Sequence, residues 1–164
     1  MEPFHEYINE YREQIEKGAV PRAYRGLMEY ILELKTYFQS KYPDHFVSGS
    51  IYFGYMDMTY FSFTPKSIGE KKLKVAIVFL HQAMRFEAWL AGSNKQIQAQ
   101  YWKMIKESNW NQYHLVSTTK GADSILEHVL ADKPDFRDLD GLTKQIERAS
   151  MTFIQDVENF LVDH

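Results

Sequence analysis

The feature that most limits the fold is a change of periodicity after Pro43. From there, residues 46–53, 57–64, 73–81 and 85–90 are rich in Tyr, Phe, Val, Ile and Thr, and each run has the length of a strand. The connections between them are short: Gly54-Tyr55-Met56, the stretch 65–72 with Gly69, and Gln82-Ala83-Met84. Parallel neighbours need a crossover of a dozen or more residues, so these connections predict an antiparallel meander. The third run is apolar on both parities at its centre, with Val75 and Ile77 on one side and Ala76 and Val78 on the other. It is the strand expected to be covered on both faces.

Helical patterns flank the meander. Phe4, Ile8, Tyr11 and Ile15 form one stripe of an amphipathic helix, with Gly18 as its C-cap. Pro21 opens a second helix with the apolar set Tyr24, Leu27, Met28, Ile31, Leu34 and Phe38, and Gly26 inside it leaves room for another backbone. After the meander, Ser93 and Gln96 read as the capping box of a helix ending near Glu107. Residues 113–116 read as a short strand. Thr118 or Thr119 then caps a helix to about Leu130, and Pro134 breaks the chain. A terminal helix from about Asp140 carries Leu142, Ile146, Ala149, Phe153, Val157 and Phe160. The order αα-ββββ-α-β-αα predicts an α+β fold, an antiparallel four- to five-stranded meander sheet packed by helices from both chain ends. No repeat or flexible linker divides it, so residues 1–164 read as a single domain.

Composition excludes several classes. Apolar residues are 45% and charged residues 25% of 164, the balance of a globular domain rather than a disordered chain. The longest strongly apolar stretch, 75–80, falls far short of the ~20 residues of a membrane span. The opening MEPFHEYINEYREQ is polar and acidic, without a targeting pattern. The lack of cysteine excludes disulfides, thiolate metal sites and a cysteine nucleophile, and predicts a cytoplasmic protein. Residues 45–110 hold 8 basic and 4 acidic side chains, with Lys66, Lys71, Lys72 and Lys74 clustered. That footprint is too weak for a duplex nucleic-acid binder and reads as a solvated loop that blunts a sheet edge.

The richest constellation lies in the fourth run. Alternation puts Phe86, Ala88 and Leu90 on the core side and Arg85, Glu87 and Trp89 on the other. There Glu87 offers a carboxylate, Arg85 an anion grip and Trp89 a stacking surface. Asp57 opens the second run and with Glu87 would make a two-carboxylate metal pair. Trp89, however, stands where one large group of magnesium-dependent nucleases places a lysine. The six histidines form no close pair, so no metal or cofactor is expected. The junction Val116-Ser117-Thr118-Thr119-Lys120-Gly121 has the outline of an anion-binding helix start, but lacks the glycine pattern of a phosphate loop and reads as an ordinary cap.

Three functional readings follow. The first is a non-enzymatic binding module for a small molecule or peptide, its pocket on one sheet face lined by Tyr52, Tyr55, Asp57, Arg85, Glu87, Trp89 and Asn94. An aromatic content of 15% suits such a wall. The second is a metal-assisted hydrolase or nuclease-like enzyme using Asp57 and Glu87. The third is a structural or oligomerisation protein, a homodimer joined through its terminal helix stripes. Exposure of Phe4, Ile8, Phe153 or Phe160 would favour it.

The stretches FVSGSIYFGYMDMTYFSFTP, KLKVAIVFLHQAMRFEAWLAGSNKQIQAQYW, ESNWN and STTKGADSI resemble a family of small bacterial proteins of unknown function. The resemblance runs from the Tyr24-Arg25-Gly26 helix to the terminal helix. It implies a cytosolic bacterial protein and brings no activity with it. A second likeness, of residues 85–110 to a module that accompanies some restriction and defence proteins, rests on one strand and one helix.

Overall fold

In a computed structural model describing residues 1–118 and 120–164, the two periodicities of the sequence separate cleanly. Helix α1 (Phe4–Lys17) ends at Gly18, whose φ of 85° is the left-handed conformation of a glycine cap. Helix α2 (Ala19–Lys41) follows at once. Strands β1 (Phe46–Val47) and β2 (Met58–Thr64), the one-turn helix α3 (Lys66–Gly69), and strands β3 (Leu73–Leu80) and β4 (Arg85–Gly92) come next. Helix α4 (Lys95–Ser108), strands β5 (His114–Leu115) and β6 (Leu126–Ala131) and helix α5 (Leu139–Val162) complete the fold.

The six strands form one antiparallel sheet in the order β1-β2-β3-β4-β6-β5. The meander is therefore present, and the class is α+β. Both edge strands are two residues long, which limits the unpaired backbone offered to other chains. The first run is shorter than its composition predicts. Ser48, Gly49 and Ser50 interrupt it, and pairing resumes only at a Tyr52–Tyr60 bridge.

Two helical expectations are corrected. The segment expected to form a helix up to Leu130 is irregular as far as Ile125 and then becomes β6; Thr119 lies outside the described residues. Leu, Glu, His and Ala are good helix formers, but Leu126 and His128 alternate with Glu127 and Val129 along β4, and that tertiary pairing decides the outcome. With no helix there, the Val116-to-Gly121 junction is no helix start. The second correction concerns α1, none of whose residues is buried. Phe4, Tyr7, Ile8, Tyr11 and Ile15 are all exposed. In contrast, Phe153 and Phe160 of α5 belong to the core. Gly26 has open space around it rather than a neighbouring backbone.

The core lies between one sheet face and helices α2, α4 and α5. Phe61, Phe63, Val75, Ile77, Phe79, Phe86, Ala88 and Leu90 meet Ile31, Leu34, Phe38, Ile105, Phe153 and Val157 there. Phe38 is fully buried, its ring centroid 4.6 Å from that of Phe63 and 6.2 Å from that of Phe61. Helices α2 and α5 are tied by Tyr30–Thr143 (3.0 Å) and by Glu147, which accepts from Tyr37 (2.7 Å), Tyr42 (2.5 Å) and Lys41 (2.7 Å). Among the described residues no helix packs over the opposite sheet face. Val78 is wholly buried on that face, yet it is no part of the helix-covered core: neighbouring side chains cover it.

Candidate functional site

The helix-free sheet face is built by strand alternation. Register sets Tyr60, Val78, Glu87 and Val129 in one row across β2, β3, β4 and β6, and Ser62, Ala76, Trp89 and Glu127 in the next. Side chains in a cross-strand row stand about 5 Å from their neighbours, so each row is a continuous surface. A groove of about 240 Å³ runs over these rows, with Met58, Tyr60, Val78 and Trp89 on its apolar side and Lys74 and Asp123 among its polar lining. Tyr52 extends the wall, its ring centroid 5.0 Å from that of Tyr60.

Glu87 is only 2% exposed, and both its oxygens are taken. Arg85 Nε donates to Oε2 at 2.6 Å and Trp89 Nε1 donates to Oε1 at 2.8 Å. A carboxylate so engaged fixes the planes of its two neighbours on the strand. It orients the indole and leaves the rest of the guanidinium for other partners, among them Asp132 at 3.8 Å. Arg85, Glu87 and Trp89 are thus brought together as alternation predicts, with Glu87 in a holding role.

The other expected site residues lie elsewhere. Asp57 stands two strands and three register positions from Glu87, so the structure does not pair the two carboxylates. Asp57 closes its own turn: its Oδ1 accepts from Tyr55 N at 2.8 Å, and its carbonyl accepts from His81 N at 3.0 Å. Those backbone N–H bonds, from Tyr55 first and Met58 second, hold its carboxyl below the usual range. Gly54 permits the turn. At φ 75° it is left-handed, and a Cβ there would come within 2.0 Å of Met58 O. Tyr55 is 89% exposed beyond the end of the face. Asn94 lies past the other end of β4 and caps α4, accepting from Ile97 N at 2.8 Å. The cap is therefore Asn94 rather than Ser93. Gln98 fills the partner role expected of Gln96, accepting from Gly92 N at 2.9 Å. Sequence reasoning missed Tyr60, Val78 and Lys74. Their shared parity with the Glu87 row was the available signal, once register was known.

At the turn end of the sheet, Thr59 and His81 form a second polar pair. The Thr59 hydroxyl donates to Phe53 O at 2.6 Å, so its 2.8 Å contact to His81 must be donated by Nε2–H. Burial lowers the His81 pKa, and the nearby Asp57 opposes that shift. A third feature, a wide groove of about 530 Å³ beside α5, contains Tyr42, Lys144, Glu147 and Arg148. Burial raises the Glu147 pKa, but hydrogen bonds from Lys41, Tyr42 and Tyr37 outweigh it and hold the carboxyl below its usual value. Burial and the bond to Glu147 push Tyr42 up to about 12.

Among the described residues no group of three or more His, Asp or Glu side chains could hold a metal ion, and no helix is long and apolar enough to cross a membrane. No curated protein and no solved structure matches the chain. One family profile does match, over residues 4–161, and by that match the chain belongs to a family described as a domain of unknown function, DUF7000.

Proposed function

We propose that this protein is a non-enzymatic binding module whose ligand, a small molecule or peptide with a flat apolar part, lies across the helix-free sheet face. One observation carries the reading. The face is left open while Trp89, the groove's largest stacking surface, is locked in place by a buried carboxylate. An antiparallel sheet commonly leaves one face wet, but with polar residues on it. Here the wet face presents Met58, Tyr60, Val78 and Trp89 in one apolar strip, the composition of a ligand wall. Lys74, beside the strip, suits an anionic group on the same ligand. The lack of cysteine favours a cytoplasmic setting.

A thermal-shift screen with nucleotides, sugars, amino acids, small acids, short peptides, oligonucleotides and divalent metals tests this. A ligand at one hundred times its Kd adds about 2.7 kcal/mol, which moves the midpoint of a domain this size by roughly 5–11 °C. The expected result is a hit from an aromatic or apolar ligand that disappears in Trp89→Ala and Tyr60→Ala. A hit that survives both variants would contradict the reading.

A further inference from the structure

Helix α1 has an apolar stripe with nothing on it. Phe4 is 77% exposed, Tyr11 60% and Tyr7 53%, with Ile8 and Ile15 also open. A lone helix of 14 residues is marginal in water, so this one gains from a surface to lie on. The same chain holds an apolar sheet face that is also unpartnered. We propose that the two belong together between copies: α1 of one molecule docks across the helix-free sheet face of a second copy, and the exchange is reciprocal. This rests on the reading of that face as a binding surface and names an occupant for it.

Size, charge and connection support the match. At 1.5 Å per residue α1 is about 21 Å long, and four strands at about 4.8 Å spacing give a face of similar width. The exposed parts of its five apolar side chains present roughly 500 Å². Two such arms and the faces they cover would remove about 2,000 Å² in all, the upper end of a standard stable interface. Segment 1–17 carries Glu2, Glu6, Glu10, Glu13 and Glu16 against Arg12 and Lys17. The face has Lys74 in its groove and Lys71 and Lys72 just before the same strand, so an acidic arm meets a basic rim. That acidity also disfavours an anionic membrane as the occupant, since interfacial helices are rich in Lys and Arg. The arm's own sheet is out of reach. Gly18 alone joins α1 to α2, one residue spans at most ~3.6 Å, and α2 packs on the opposite face. Reciprocal docking gives a closed two-fold dimer that leaves no arm or face free.

Because the chain has no cysteine, the test can be direct. Mix a Tyr11→Cys protein with an Ala76→Cys protein, oxidise, and separate the products. The expected product is a disulfide-linked heterodimer, with dimers of the unmodified chain in sedimentation equilibrium. The pair Ile8→Glu and Tyr11→Glu should weaken that dimer by at least about a hundredfold, one decade per lost contact. These positions are exposed, so circular dichroism should show an intact fold. A monomer at 100 μM with no cross-link would overturn the proposal, as would a dimer indifferent to the Glu pair. So would a Tyr11→Cys/Ala76→Cys double variant that closes its disulfide within one chain. Thermal-shift hits on the monomeric Glu pair separate the two ideas. Trp89-dependent hits alongside a failed cross-link sink arm exchange alone, and hits that ignore Trp89 sink the binding face as well.

Discussion

Glu87 shows how a charged side chain can be spent on geometry. Its two oxygens meet Arg85 and Trp89, and it is almost without solvent. Glu87→Ala should leave the fold intact and lower stability by about 1–3 kcal/mol, the range for lost hydrogen bonds to a charged group, as read by a chemical melt. The indole should also become mobile, which a fluorescence anisotropy measurement would register. Glu147 has the same character between α2 and α5. Glu147→Ala strands the hydroxyls of Tyr37 and Tyr42, and a loss of about 1–3 kcal/mol is expected in the same melt. Three histidines set the pH response. Burial lowers the pKa of His45, His81 and His128 from 6.5, opposed by Glu158 and Asp44, by Asp57, and by Glu87 and Asp156 in turn. Below pH 6.5 the unfolded chain therefore binds protons that the folded chain resists, so stability is full above that value and declines as pH falls through it. Melting temperature measured from pH 8 to 5 should fall below pH 6.5. In His128→Phe, which keeps a ring against Phe153, the fall should be shallower. A melting temperature that rises on acidification would contradict this.

At the scale of elements, legibility in the sequence followed whether a signal was local. Gly18, Pro43 and the stripe on α5 mark their helices because caps, breakers and a 3.6-residue period act within a few residues. The three short connections dictate the meander for the same reason. Strand β6 was illegible: its residues suit a helix, and only pairing with β4 makes a strand of them. The site was half legible. Arg85, Glu87 and Trp89 share a strand, so alternation alone groups them. Tyr60, Val78 and Lys74 join them through register, which no single segment encodes. The reverse error has the same source. Asp57, Tyr55 and Asn94 look like site residues by type but serve a turn and a cap. Replacing Asn94 with Ala should therefore cost about 1 kcal/mol in a melt and leave ligand binding unchanged. Gly92 has a related duty, because a Cβ there would stand 2.5 Å from Gln98 N and push α4 away from β4.

For the molecule as a whole, the asymmetry of the sheet is the organising fact. Helices from both chain ends crowd one face, with Phe38, Phe61, Phe63, Phe79, Phe86 and Phe153 fully buried beneath them. Phe38→Ala should cost about 3–5 kcal/mol, measured by denaturant unfolding, because that close-packed cluster cannot collapse into the space. The other face has a locked indole, two tyrosines and a basic rim, and it is where binding is expected. The most direct test is an amide-resolved NMR titration of the uniformly labelled protein with the strongest hit from the ligand screen. The account predicts shifts concentrated at Tyr60, Ala76, Val78 and Trp89, with the Trp89 indole N–H among the largest. Shifts that gather instead along α5 around Tyr42, Glu147 and Arg148, leaving Trp89 unmoved, would contradict it.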